Sequence, residues 1–115
     1  QVRDWIYVAD HIEALMTLLQ QAKPGSIYNI GGDKELENIN LARLICRIMA
    51  EREMRNPSYY DDLIVSVTDR MGHDFRYAVN YQKINRHWGW RPKHQFNDAL
   101  LRTIKWCLTE KTKAT

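Results

Sequence analysis

The stretch from Asp69 to Tyr77 reads DRMGHDFRY and gathers two arginines and three acidic or imidazole side chains around one glycine. The guanidinium forks of Arg70 and Arg76 suit phosphate or carboxylate oxygens through charge-assisted hydrogen bonds. Gly72 lets the loop turn tightly, and His73 can donate a hydrogen bond near neutral pH. Asp69 can accept from a ribose hydroxyl or hold Arg70 in place. Together these groups suit an anion that carries both phosphate and hydroxyls, as a nucleotide does. They equally suit a loop laced by its own salt bridges. A metal site on Asp69, His73 and Asp74 is the rival reading, and the two adjacent arginines would oppose a cation there. His11, His87 and His94 make no ligand-spaced partnership with these residues.

Three further positions carry polar chemistry. Arg3 beside Asp4 reads either as an exposed ion pair, worth under about 1 kcal/mol, or as a second phosphate fork. Asn29 lies in an apolar run where a buried amide must find partners. Asn38 precedes an amphipathic segment, as a turn residue or as a binding amide. A catalyst is harder to find. Gly31-Gly32 is no dinucleotide fingerprint, and no phosphate-binding lysine loop, serine elbow or zinc-binding spacing is present. Tyr81 and Lys83 are two positions apart and do not share a helical face.

The elements that would hold these groups follow from periodicity. Trp5 to Val8 (WIYV) predicts a strand, and Asp10 with Glu13 predicts a capping box. Ile12, Leu15, Met16 and Leu19 keep the 3.6-residue period and predict one buried stripe on a helix that ends near Ala22, before Lys23-Pro24-Gly25. Ser26 to Ile30 predicts a second strand. Asn40 is placed as the cap of a helix with Leu41, Leu44, Ile45, Ile48 and Met49 on its apolar face. Leu63 to Val67 (LIVSV) predicts a third strand and Arg76 to Val79 a short extended piece. Asn80 caps a small helix stopped at Gly89, and a last helix runs from about Phe96 to Thr109.

At 115 residues the chain is one small domain, able to bury about two thirds of its unfolded surface. Its apolar fraction of 44% and charged fraction of 27% are those of a folded protein. Residues 1–80 carry nine basic and twelve acidic side chains, and residues 81–115 carry eight and two. The basic third raises a nucleic-acid-binding reading. The aromatics fall at core-like positions and do not interleave with the basic residues, which argues against it. Cys46 and Cys107 each fall on an apolar helical face and predict buried free thiols. No apolar run reaches the length of a membrane span. Gln1 opens directly on a strand-like segment, so a piece of a longer polypeptide is expected.

The segments Arg3 to His11 (RDWIYVADH), Tyr28 to Gly32 (YNIGG), Glu37 to Asn40 (ENIN), Asp69 to Asp74 (DRMGHD) with Arg76 to Ala78 (RYA), and Trp88 to Pro92 (WGWRP) carry a pattern. Through them, residues 1–110 resemble the C-terminal part of the dTDP-glucose 4,6-dehydratase family of extended short-chain dehydrogenase/reductases. That resemblance implies an α/β fold, the C-terminal substrate-binding portion of a Rossmann-type parent. Residues 1–110 would form a single binding region and 111–115 a flexible basic tail.

The resemblance further implies that Arg3 contacts substrate phosphate, that Asn38 binds substrate, and that Asp69, Arg70, Met71, Gly72 and His73 hold the nucleotide end of a dTDP-sugar. Met71 replaces the family's usual proline, which loosens the loop, and Phe75 replaces a common arginine. NAD would be bound mainly by the N-terminal domain of the parent, a cytoplasmic homodimer with no nucleic-acid or membrane partner. The implied reaction is internal redox: hydride leaves C4 of the glucose, water is lost across C5 and C6, and hydride returns to C6. The residues that perform it would lie before Gln1, so the 115 residues by themselves are expected to be inactive.

Overall fold

The computed structural model describes residues 1–69, 71–72 and 76–114. Its elements in chain order are β1 (Val2–Asp4), α1 (Val8–Gln21), β2 (Glu35–Glu37), α2 (Asn38–Arg52), a 3-10 turn at Asp61–Leu63, β3 (Arg76–Tyr77), α3 (Gln82–Trp88) and α4 (Phe96–Ala114). A small mixed sheet in the order β2-β1-β3 joins the start of the chain to its middle. β1 is central: it pairs antiparallel with β2, Arg3 opposite Leu36, and parallel with β3, Val2 opposite Arg76.

The sheet differs in place from the sequence expectation. The first strand is Val2–Asp4, and Trp5 to Val8 leads out of it into α1. Trp5 still docks on the sheet, its backbone N–H donating to Lys34 O and its indole Nε1 to Leu36 O. Ser26 to Ile30 and Leu63 to Val67 pair with no strand among the described residues. Both runs have the β-branched composition of strands, but composition reports fit to a pleated surface, and neither meets a partner edge. Tyr28 and Ile30 pack on the core instead, while Leu63, Val65 and Val67 remain exposed. Arg76–Tyr77 is a strand within the extended piece that the sequence predicts.

The core lies where α1, α3 and the segment after α3 meet. Ala14, Ile84 and Trp90 are buried there, with Ile6, Leu18, Tyr28, Ile30 and Tyr81 packed around them. Tyr81 meets Trp90 edge-on at 5.5 Å. Gly89 ends α3 in the left-handed conformation, φ 73°, and its N–H donates to Asn85 O. Tyr81, not Asn80, is the N-cap of α3 and makes no side-chain cap bond; Asn80 stands one residue outside, its Oδ1 accepting from Gln82 N–H at 2.7 Å.

The apolar stripe of α1 is a correction. Ile12, Leu15, Met16 and Leu19 are exposed, Leu19 to 79%, and the buried face carries Asp10 and Ala14. Helical period was read correctly but not its phase, because the small Ala14 is what meets α3 while the bulkier residues point away. The radius of gyration, 17.1 Å, exceeds the roughly 13 Å of a compact chain of this length. The stripe is not covered by these residues. Asp10 forms no capping box: Tyr7 is the N-cap, without a side-chain bond. α2 starts at Asn38 with Glu37 as N-cap, not at Asn40, and α4 continues past Thr109 to Ala114. Both cysteines are free, but Cys107 is exposed and Cys46 only half-buried. Among the described residues, no helix is long and apolar enough to cross a membrane.

Candidate functional site

Side chains alternate along a strand, so the residue before β1 and the residue in its middle share a face. Gln1 and Arg3 are such a pair. Arg3 Nη2 donates to Gln1 Oε1 at 3.1 Å and Arg3 Nη1 donates to Val2 O at 3.0 Å. The other end of the Gln1 amide, Nε2, donates to Asp69 Oδ2 at 2.7 Å. The Gln1 backbone carbonyl accepts from Asn38 N–H at 2.8 Å. Gln1 therefore touches Arg3, Asn38 and Asp69.

Asn38 follows β2 directly and opens α2. Its side chain is exposed, and no side chain caps the amino end of that helix. The first turn of a helix carries unpaired N–H groups and partial positive charge, which favour an anion nearby. Arg3 is half-buried and has no carboxylate in ion-pair contact among the described residues. Asp4, its sequence neighbour, points the other way: Oδ2 accepts from Gly32 N–H at 3.1 Å and Oδ1 from Lys34 N–H at 3.0 Å. The ion pair that the sequence allowed between Arg3 and Asp4 is thus replaced by a carboxylate clamp on the Gly31–Lys34 turn. Both glycines are needed there. A Cβ on Gly31 would lie 2.6 Å from Asp4 Oδ2, and one on Gly32 would lie 1.9 Å from Trp5 O.

Behind this sheet lies a hollow of about 330 Å³, lined by Trp5, Tyr7, Asp10, Gly32, Lys34 and His94 among others. Asp10 is 2% exposed. Its Oδ1 meets His94 Nδ1 at 2.7 Å, its Oδ2 accepts from His94 N–H at 3.2 Å, and its backbone O accepts from Trp90 Nε1 at 3.1 Å. Burial pushes the Asp10 carboxyl up. The bonds from the His94 ring and from the His94 and Lys93 backbone, with the His94 charge, outweigh burial and hold it below its ordinary value. Glu35 and Arg76 form an exposed ion pair, Arg76 Nε and Nη2 both meeting Glu35 Oε1, that ties β2 to β3 across β1.

Of the residues singled out in the sequence, Arg3, Asn38 and Asp69 come together around Gln1. Met71 and Gly72 sit in an exposed turn, Gly72 at φ 76°. Arg70 and His73 lie outside the described residues, as does Asp74. Among the described residues no group of His, Cys, Asp or Glu could hold a metal ion. Sequence reasoning missed Gln1, although its two-residue spacing from Arg3 on a strand was a usable signal. It also missed the contact between Asp10 and His94, for which 84 residues of separation leave no local signal.

The fold and this site define the C-terminal, substrate-binding portion of the extended short-chain dehydrogenase/reductase fold, Rossmann-type in its parent. Residues 1–103 match the profile of the GDP-mannose 4,6 dehydratase family, and the chain belongs to that family. Among similar proteins, the dTDP-glucose 4,6-dehydratase of Neisseria meningitidis is 43% identical over 97% of this chain and 32% of its own length. The dTDP-glucose 4,6-dehydratase 1 of Escherichia coli K12 is 42% identical over 95% of this chain and 30% of its own. The crystal structure of dTDP-glucose 4,6-dehydratase from Bacillus anthracis in complex with NAD superposes with a TM-score of 0.77 at 32% identity. It covers 97% of this chain and 33% of that one. DesIV, the dTDP-glucose 4,6-dehydratase of Streptomyces venezuelae, gives 0.76 at 35% identity over 92% of this chain and 30% of its own. The chain spans about a third of the length of the curated relatives it matches.

Proposed function

We propose that this chain is the nucleotide-sugar-binding part of a dTDP-glucose 4,6-dehydratase, and that it grips a dTDP-sugar through the face that Gln1 organises. The observation that carries the reading is that Arg3, Asn38 and Asp69, from three separate segments, all bond to Gln1 in a chain of this family, Asn38 through its backbone N–H. The Arg3 guanidinium supplies charge-assisted bonds to the diphosphate. The Asn38 amide and the amino end of α2 add neutral donors. Asp69 accepts from a sugar hydroxyl. Arg70, Met71, Gly72 and His73 complete the nucleotide end. Residues 1–110 act as one binding region, followed by a basic tail.

The reaction needs groups that this chain does not supply. NAD, bound in two of the similar structures, supplies the hydride acceptor and donor. The residues described here do not fit it. The Gly31-Gly32 turn is crowded by Asp4, Val79 and the Trp5 backbone and offers a dinucleotide no cradle; NAD and the reacting side chains are assigned to an N-terminal domain of the parent, a cytoplasmic homodimer. These 115 residues alone then show no turnover. Their share of the work is to bind and orient, which raises kcat/KM by fixing the sugar before chemistry starts.

Titrating the complete enzyme with dTDP-, UDP- and GDP-sugars tests the reading. Tightest binding is expected for the dTDP-sugar; tighter GDP-mannose binding overturns that choice in favour of the substrate for which the family is described. Arg3→Ala is expected to raise KM at least tenfold, about 1.4 kcal/mol, with a smaller fall in kcat. A fall in kcat at constant KM would remove Arg3 from ground-state binding.

A further inference from the structure

We propose that Gln1 is a positioning residue of this site, an uncharged spacer that keeps the Arg3 cation and the Asp69 anion from neutralising each other. The proposal rests on the reading that the face binds a dTDP-sugar. Gln1 Oε1 accepts from Arg3 and Gln1 Nε2 donates to Asp69, so the two ends of one amide serve opposite charges. The orientation is fixed by its partners: turned over, the amide would set N–H against N–H at Arg3 and oxygen against oxygen at Asp69. No charged side chain could take the place. A carboxylate would repel Asp69, and an ammonium or guanidinium would repel Arg3.

The consequence concerns availability. Arg3 and Asp69 share the amide as a common neighbour and, among the described residues, are held apart by it. A direct ion pair would spend the guanidinium fork on the chain's own carboxylate. With Gln1 between them, and among the described residues, the remaining Arg3 N–H groups are left for phosphate oxygens and Asp69 keeps an oxygen for a hydroxyl. The backbone of the same residue receives Asn38 N–H at 2.8 Å, which sets the start of α2 in register with this pair.

The test is steady-state kinetics of the complete enzyme with dTDP-glucose, on Gln1→Met, Gln1→Glu, Arg3→Ala and the double variant Gln1→Met/Arg3→Ala. Gln1→Met keeps the length of the side chain and loses both bonds. It is expected to raise KM roughly tenfold, the loss of a hydrogen bond to a charged group, and to lower kcat less. Gln1→Glu is expected to raise KM further, because the new carboxylate closes on Arg3. In the Arg3→Ala background Gln1→Met is expected to raise KM by less than it does alone, since the part that acts through the guanidinium is already lost and only the part through Asp69 remains. Thermal midpoints of all four are measured alongside. A KM within twofold of the parent for Gln1→Met, a milder effect of Gln1→Glu than of Gln1→Met, or full additivity with Arg3→Ala overturns the proposal while leaving dTDP-sugar binding intact. If Arg3→Ala itself leaves KM unchanged, the binding reading fails and this one fails with it.

Discussion

Two corners of the molecule tie the first ten residues to distant chain, and they do it in opposite ways. At one, Asp10 reaches His94 across 84 residues; at the other, Gln1 reaches Asp69 across 68. The Asp10 corner is buried, backed by Trp90 and Ala14, and its carboxylate is satisfied by ring and backbone donors. The Gln1 corner is partly open to solvent and built from a few hydrogen bonds at the start of β1, the start of α2 and a loop. Buried polar contacts fix one arrangement of the chain because any alternative leaves a charge unpaired. Open ones cost little to break and leave valences for a ligand. The first corner is therefore suited to stability, and the second is the one proposed to serve recognition.

That contrast can be broken experimentally. The largest effect is expected from Asp10→Ala, which removes the buried carboxylate that accepts from the His94 ring and backbone N–H. It should lower unfolding free energy by about 3 kcal/mol in urea titration; a loss below about 1 kcal/mol would put the two corners on one footing. A smaller effect is expected from acid. Because the Asp10 carboxyl is held below its ordinary value of 3.8, its contribution is fully present above that value. It drains as pH falls through the lower folded value, where the unfolded chain binds the proton more readily. Denaturation followed from pH 6 to pH 2 should show this limb, and Asp10→Asn should flatten it. The smallest stability change belongs to the open side of the sheet. Glu35→Gln, at the exposed pair with Arg76, should cost under about 1 kcal/mol and less in high salt.

The same contrast explains what could be read from the sequence. Helices were legible because each announces itself locally: Pro24 and Gly25 after α1, Asn80 before α3, Gly89 after it. The meeting of Arg3, Asn38 and Asp69 was foreshadowed only as residue types, since an arginine, an aspartate and an asparagine before a helix suit a polar ligand wherever the chain puts them. Strands were not. Ser26 to Ile30 and Leu63 to Val67 have strand composition, yet the pairing strands are Val2–Asp4 and Glu35–Glu37 (VRD and ELE), whose registry is decided by partners far along the chain. Asp10 misled for a related reason. An aspartate three residues before a glutamate looks like a cap, and only its distant acceptor role for His94 shows why it is buried. The phase of α1 failed because Ala14, too small to stand out in a hydrophobic pattern, is the residue that lets another helix approach.

β1 stands between two neighbours that come later, and this sets a timetable. During synthesis Gln1 and Arg3 leave the ribosome 68 residues ahead of Asp69, a delay of roughly 3 to 14 s at ordinary elongation rates. From Glu37 onward β1 can pair with β2 while its β3 flank stays bare until Arg76 and Tyr77 follow, and α1 and α2 can form in the meantime. The Gln1–Asp69 contact thus becomes available after β2 and α2 but before α3, α4 and the Asp10–His94 contact. A pause in translation between the codons for Asn38 and Asp69 would lengthen the exposure of an unpaired edge without altering a single contact in the finished protein.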